Sequence, residues 1–368
     1  MHRAARLALA LITCAAPLAL STAAYAADAP AAKAAVWKAP RNAFGQPDLS
    51  GNWSNATLTP VVRPAKFGTR AVLTPEEVKA MEAAAELEVE EGNASTDPNA
   101  DAEHRAKVTN VKPEYAAAGG DTGGYNRGWL DPGSSVMRVG GEPRTSLLTT
   151  PDGQVPKRKG GAAPMPRRPG MGAFDSYETR SLGERCIMGF GRNAGPPMLP
   201  NGFYNNNYQF LQTADTLVIN VEMIHDTRII RIGGKHRTDG IRTYLGDSIG
   251  WWEGDTLVVQ TTNFLPNQAY NGAWENLKVT ERFTRVGPRR LRYQFQAEDP
   301  GVWDKPWGGE YEFYTLNGRV FEYACHEGNY ALPGILAGAR YQEEEARKAA
   351  AAGPGEPKTG GAKTGGAP

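Results

Sequence analysis

The amino-acid sequence predicts an all-β protein: an antiparallel up-and-down β-barrel of about ten strands, with a long insertion wrapped over its surface and one helix in its N-terminal half. Three observations carry this reading. Residues 217–224 alternate, with Leu217, Ile219, Val221 and Met223 on one face and Val218, Asn220, Glu222 and Ile224 on the other. The run Thr256-Leu257-Val258-Val259 follows a Glu253-Gly254-Asp255 turn and consists largely of residues that suit a pleated, half-buried surface. Turn signals then recur down to Asn317-Gly318, a pair that supplies the two positive φ angles of a type I′ hairpin. Short strands joined by successive hairpins, with no evident long crossover, favour a barrel over a sandwich.

In chain order, Arg3 and Arg6 precede a nearly apolar run, Leu7 to Leu20, and Ala24-Tyr25-Ala26 offers small residues where a signal peptidase cuts. Residues 1–26 therefore read as a signal peptide, and the protein as exported to the periplasm or beyond. Thr13 and Pro17 break the run, which is shorter than the roughly 20 residues of a membrane span. Residues 27–45 are rich in Ala, Lys and Pro and read as a mobile leader. Thr74-Pro75-Glu76-Glu77 is a helix start with a capping box, and the helix runs to about Glu91, before Gly92-Asn93. Its stripe of Val78, Met81, Ala85 and Val89 predicts docking by one face.

Residues 92–171 show little periodicity and are expected to lie across the β-structure, anchored by Trp129 and by Thr145-Ser146-Leu147-Leu148. Strands are expected around Trp53 and near 207–213, 216–224, 228–232, 241–252, 255–263, 277–286, 290–299, 308–316 and 319–326. A short helix from Gln342 to Ala350 and a Gly- and Lys-rich tail follow. One barrel domain thus covers 46–340.

Without the signal peptide, 39 basic residues face 40 acidic ones, a net charge of −1. That balance argues against a nucleic-acid partner. Lys157, Arg158, Lys159, Arg167 and Arg168 cluster among Gly and Pro, as in a solvated loop. Cleavage leaves two cysteines, Cys186 and Cys325, and export makes one disulfide the natural reading, two free buried thiols being the alternative.

The pattern Gly51-x-Trp53 resembles the first strand of lipocalin-type (calycin) barrels, where the Trp plugs one end. Asn207-Tyr208-Gln209, residues 222–230 from Glu222-Met223-Ile224-His225, Trp252 to Val259, Glu281 to Arg285 and Tyr323-Ala324-Cys325-His326-Glu327-Gly328-Asn329-Tyr330 resemble segments of a family of exported bacterial proteins. That resemblance spans roughly Leu49 to Arg340. It implies that Cys186 and Cys325 belong to the family's pattern, and it implies no particular activity.

Three groups are candidates for chemistry. His225, if the preceding strand extends that far, continues the inward face of Ile219, Val221 and Met223 and is a candidate general acid or base; the alternative is a plain hairpin turn at His225-Asp226-Thr227. His326 and Glu327 follow Cys325 at a strand end that a disulfide would hold rigid. His236 reads as an exposed turn residue. Trp252, Trp303 and Trp307 are candidate ligand-binding residues, the last two as loop side chains at a barrel mouth. No HExxH, GxSxG, Walker A or GxGxxG motif occurs, so neither metal nor nucleotide cofactor is expected. The expected function is binding of a small apolar or aromatic molecule at the barrel mouth. The alternative is a cofactor-free lyase, isomerase or hydratase using a histidine.

Overall fold

The computed structural model describes residues 37–92, 131–160, 172–202 and 205–351. The signal-peptide reading, Trp129, Arg167, Arg168 and the tail beyond 351 lie outside them. The fold belongs to the unit Lys38–Pro368.

Among the described residues, nine strands close into a barrel: β1 (Gly51–Ser54), β4 (Asn207–Gln212), β5 (Thr216–Val221), β6 (Thr227–Ile232), β7 (Asp247–Glu253), β8 (Thr256–Thr262), β9 (Lys278–Gly287), β10 (Arg290–Glu298) and β11 (Trp307–Thr315). A two-stranded ribbon, β2 (Arg138–Val139) and β3 (Glu142–Pro143), stands apart from the barrel sheet. β1 pairs with both β4 and β11, so Trp53 lies opposite Tyr208 on one side and Thr315 on the other. That closure leaves no edge for a tenth strand. Residues 319–326, expected as a strand, instead run irregularly towards Cys186.

All neighbouring pairs are antiparallel except β6 and β7, where Ile230, Arg231 and Ile232 run parallel to Ser248, Ile249 and Gly250. The expectation of unbroken antiparallel hairpins is corrected here. Strict alternation around a closed ring needs an even number of strands, so nine strands force a parallel step. The chain meets this with a crossover, 233–246, which carries it back to the starting end of β6.

The registers separate the barrel's two ends. Tight turns at 213–215, 254–255 and 288–289 lie at one end, where Arg285 places its guanidinium 5.5 Å from the Trp53 ring. The long connections 263–277 and 299–306 and the 222–226 turn lie at the other, the open end. Inward positions are large: Phe210, Phe283, Tyr293 and Phe313 are fully buried, with ring centroids 5.2–6.1 Å apart where they meet.

The first helix, α1 (Pro75–Gly92), starts at the expected capping box: Thr74 N–H donates to Glu77 Oε2 at 2.8 Å and Glu77 N–H to Thr74 Oγ1 at 3.3 Å. Val78 and Ala85 are buried, whereas Val89 is exposed. Within the insertion, Leu147 and Leu148 are buried and pin it to β11: Glu310 N–H donates to Leu147 O at 2.9 Å and Thr149 N–H to Gly308 O at 3.0 Å. Residues 38–45, read as part of a mobile leader, are tied down instead. Arg41 pairs with Asp255 at 2.5 Å and Gln46 Nε2 donates to Ala214 O at 2.7 Å, which fixes both flanks of that stretch to barrel turns. The C-terminal helix, α2 (Ala331–Ala351), begins eleven residues before the expected start at Gln342. Asn329 Oδ1 accepts the Leu332 N–H at 3.4 Å at its N-terminus.

Candidate functional site

The barrel interior is closed by the chain itself. Residues 193–199, Asn-Ala-Gly-Pro-Pro-Met-Leu, are all buried and reach the inward tyrosines. Met198 N–H donates to Tyr293 Oη at 2.8 Å, Tyr311 Oη donates to Met198 O at 3.1 Å, and Tyr208 Oη donates to Asn193 O at 3.2 Å. Gly195-Pro196 and Pro196-Pro197 are cis peptides. Asn55 Nδ2 donates to both Tyr208 and Tyr311 hydroxyls at 3.1 Å.

Beneath this plug sits a buried ion pair. Arg228 on β6 meets Glu281 on β9 in a two-point contact, one leg Nη1–Oε1 at 2.9 Å. Two further donors go to Ser248 Oγ at 3.1 Å and Thr261 Oγ1 at 2.8 Å, and Tyr293 Oη donates to Glu281 Oε1 at 2.8 Å. A buried charge pair persists when its other donors and acceptors find partners, and here four of the five guanidinium N–H groups and both Glu281 oxygens are engaged. The cluster has the chemistry of a scaffold rather than of a reactive centre.

The open end carries a groove instead. Its volume is about 1210 Å³, and its walls are drawn from residues 172–192, just past the insertion, the 265–271 loop and Tyr244 from the crossover. The apolar part is Leu182, Phe190, Tyr244, Leu265, Pro266 and Tyr270. Phe190 is 43% exposed, and its ring packs against Gly183. A Cβ at Gly183 would come within 2.5 Å of its ring, so only glycine permits the contact.

Arg192 marks the floor. Its guanidinium lies over the Tyr270 ring at 4.6 Å, Tyr270 stacks on Trp307 at 5.3 Å, and Trp307 meets Trp303 edge-on at 5.3 Å. This stack fixes the guanidinium in position. Nη2 donates to Pro196 O and Nη1 to Gln268 O at 3.4 Å, which leaves three of five N–H donors over, Nε among them. Among the described residues no carboxylate pairs with Arg192. Burial lowers its pKa to about 10. Burial likewise pushes the Tyr270 hydroxyl well up, so the ring is neutral.

The expected site residues do not converge. β5 ends at Val221, and a short turn over Met223–His225 with φ of +54° at Ile224 and +46° at His225 swings the histidine out to solvent. The inward placement of His225 is therefore corrected. His326 and Glu327 are exposed on an irregular segment, not a strand end. Cys186 and Cys325 do form the disulfide, with Cα atoms 5.7 Å apart. Trp303 and Trp307 sit at the open end but are 2% and 4% exposed, so they back the groove rather than line it. Trp252 follows the inward face of β7 to the opposite end of the barrel and is half-buried. His236, read as an exposed turn residue, is half-buried: Nδ1 meets Asp247 Oδ2 at 2.9 Å and Nε2 meets Gln260 Oε1 at 3.2 Å. Both ring nitrogens are engaged, which suits fastening the crossover.

Arg192, Phe190 and Tyr270 were missed by the sequence reading. The signal for Phe190 and Arg192 is the Gly189-Phe190-Gly191-Arg192 run three residues past Cys186, where an arginine sits in otherwise neutral chain beside a disulfide. Among the described residues no group of three or more His, Cys, Asp or Glu is arranged to hold a metal ion. No described helix is long and apolar enough to cross a membrane. No protein-family model matches the chain, and no curated protein matches it significantly.

Proposed function

We propose that this is an exported binding protein for a small apolar or aromatic molecule, held in the groove at the open end of the barrel. The observation that carries the reading is the pairing of a filled barrel with an open, aromatic-lined groove of about 1210 Å³ at its mouth. Ligand sites are concave, mostly apolar and few in number, with a small number of placed polar groups. Export is supported by the Cys186–Cys325 bridge, which persists in oxidising compartments. The enzymatic alternative needs a sheltered base, and His225 and His326 are both exposed.

Titration with N-phenylnaphthylamine, a neutral fluorescent aromatic, tests the reading. Saturable binding is expected, and Leu265→Arg, which sets a charge and bulk in the groove wall, is expected to weaken it at least tenfold while the melting temperature holds. Unchanged binding in that variant would place the probe elsewhere and overturn the proposal.

A further inference from the structure

Resting on the groove as the binding site, we infer that its ligand is an organic anion, an acid group on an apolar or aromatic body, with Arg192 receiving the acid group.

The donor count leads there. Arg192 offers five N–H groups and spends two on the carbonyls of Pro196 and Gln268. A permanently charged guanidinium held partly out of water without an anion is costly, and a carboxylate or sulfonate accepting its spare donors offsets that cost. Glu281, an interior carboxylate whose charge acts on Arg192, does not serve, because it is spent on Arg228 and on the Tyr293 hydroxyl.

The rest of the lining agrees. Among the described lining residues, Arg180, Arg185 and Arg192 stand against one carboxylate, Glu178. Arg180 is neutralised by Glu184 at 2.5 Å, whereas Arg185 lies over the Tyr177 ring at 5.5 Å. The groove is thus net positive beside Phe190, Leu265 and Tyr270, a combination that selects an acid with an apolar body. The Arg192–Tyr270–Trp307 stack holds the guanidinium before any ligand arrives, so binding costs little ordering there.

Two probes with the same aromatic body separate this from the general reading: anilinonaphthalene sulfonate, an anion, and neutral N-phenylnaphthylamine. The anion is expected to bind about tenfold or more tighter, and each probe to displace the other. Arg192→Gln should remove the anion's advantage over the neutral probe, and Arg192→Lys should restore part of it. An unchanged circular dichroism spectrum and cooperative melting report that each variant is folded. Raising salt from about 0.02 M to about 0.5 M in the unaltered protein should weaken the anion alone. Equal affinity of the two probes, or an anion advantage that survives Arg192→Gln, would overturn the inference while leaving the groove as the site. Failure of both probes to respond to Leu265→Arg would sink the binding proposal itself.

Discussion

Asp226 accepts the Gly189 N–H at 2.8 Å from a position where it is only 8% exposed, and burial raises its pKa to about 6 against the Gly189 hydrogen bond that pulls it down. A raised carboxylate pKa favours the protonated native state. The contribution is therefore complete below the unfolded value of 3.8 and is lost as pH rises through about 6. Stability is expected to fall by about 2–3 kcal/mol across that window, from about 1.4 kcal/mol per pKa unit. Asp226→Asn keeps an oxygen for Gly189 and should flatten the profile, with a higher urea midpoint at neutral pH than the unaltered protein. A steeper profile in the variant would contradict the assignment. The Arg228–Glu281 pair gives the opposite kind of prediction. Glu281→Gln strands a buried guanidinium and should cost about 3–5 kcal/mol by urea denaturation, while the double change Arg228→Met with Glu281→Leu should cost much less.

Among the elements, the local ones were legible in sequence. The alternation of Leu217, Ile219 and Val221 becomes β5 with all three buried, and the Thr74–Glu77 capping box opens α1. The site was not legible, because it depends on where strands stop. Alternation carries an inward face on to His225 only if β5 continues, and the positive φ at Ile224, a β-branched residue that rarely adopts it, ends the strand early. The parallel step between β6 and β7 was equally invisible, since it follows from the count around the closed ring rather than from any local residue. Pairing of β10 with β11 makes a further prediction. A Cβ at Gly308 would stand 1.8 Å from Phe295 O, so Gly308→Ala is expected to part β10 from β11 or unfold the protein. Its melting temperature should drop far more than that of Gly318→Ala, where a Cβ meets nothing within 4 Å.

For the whole molecule, the arrangement divides labour between a filled barrel and the segments laid over its open end. The Cys186–Cys325 bridge ties the groove wall to the chain leading into α2 across 139 residues. Closing a loop of that length stabilises by up to about 5 kcal/mol in the chain-entropy model, so Cys186→Ser with Cys325→Ser should lower the urea midpoint substantially. The central claim is that the ligand sits in the groove and not within the barrel. A crystal structure of the protein soaked with N-phenylnaphthylamine tests it most directly. The account predicts density between Phe190, Leu265 and Tyr270, with Met198 still bonded to Tyr293 and Tyr311. Density inside the barrel, with residues 193–199 displaced, would contradict it.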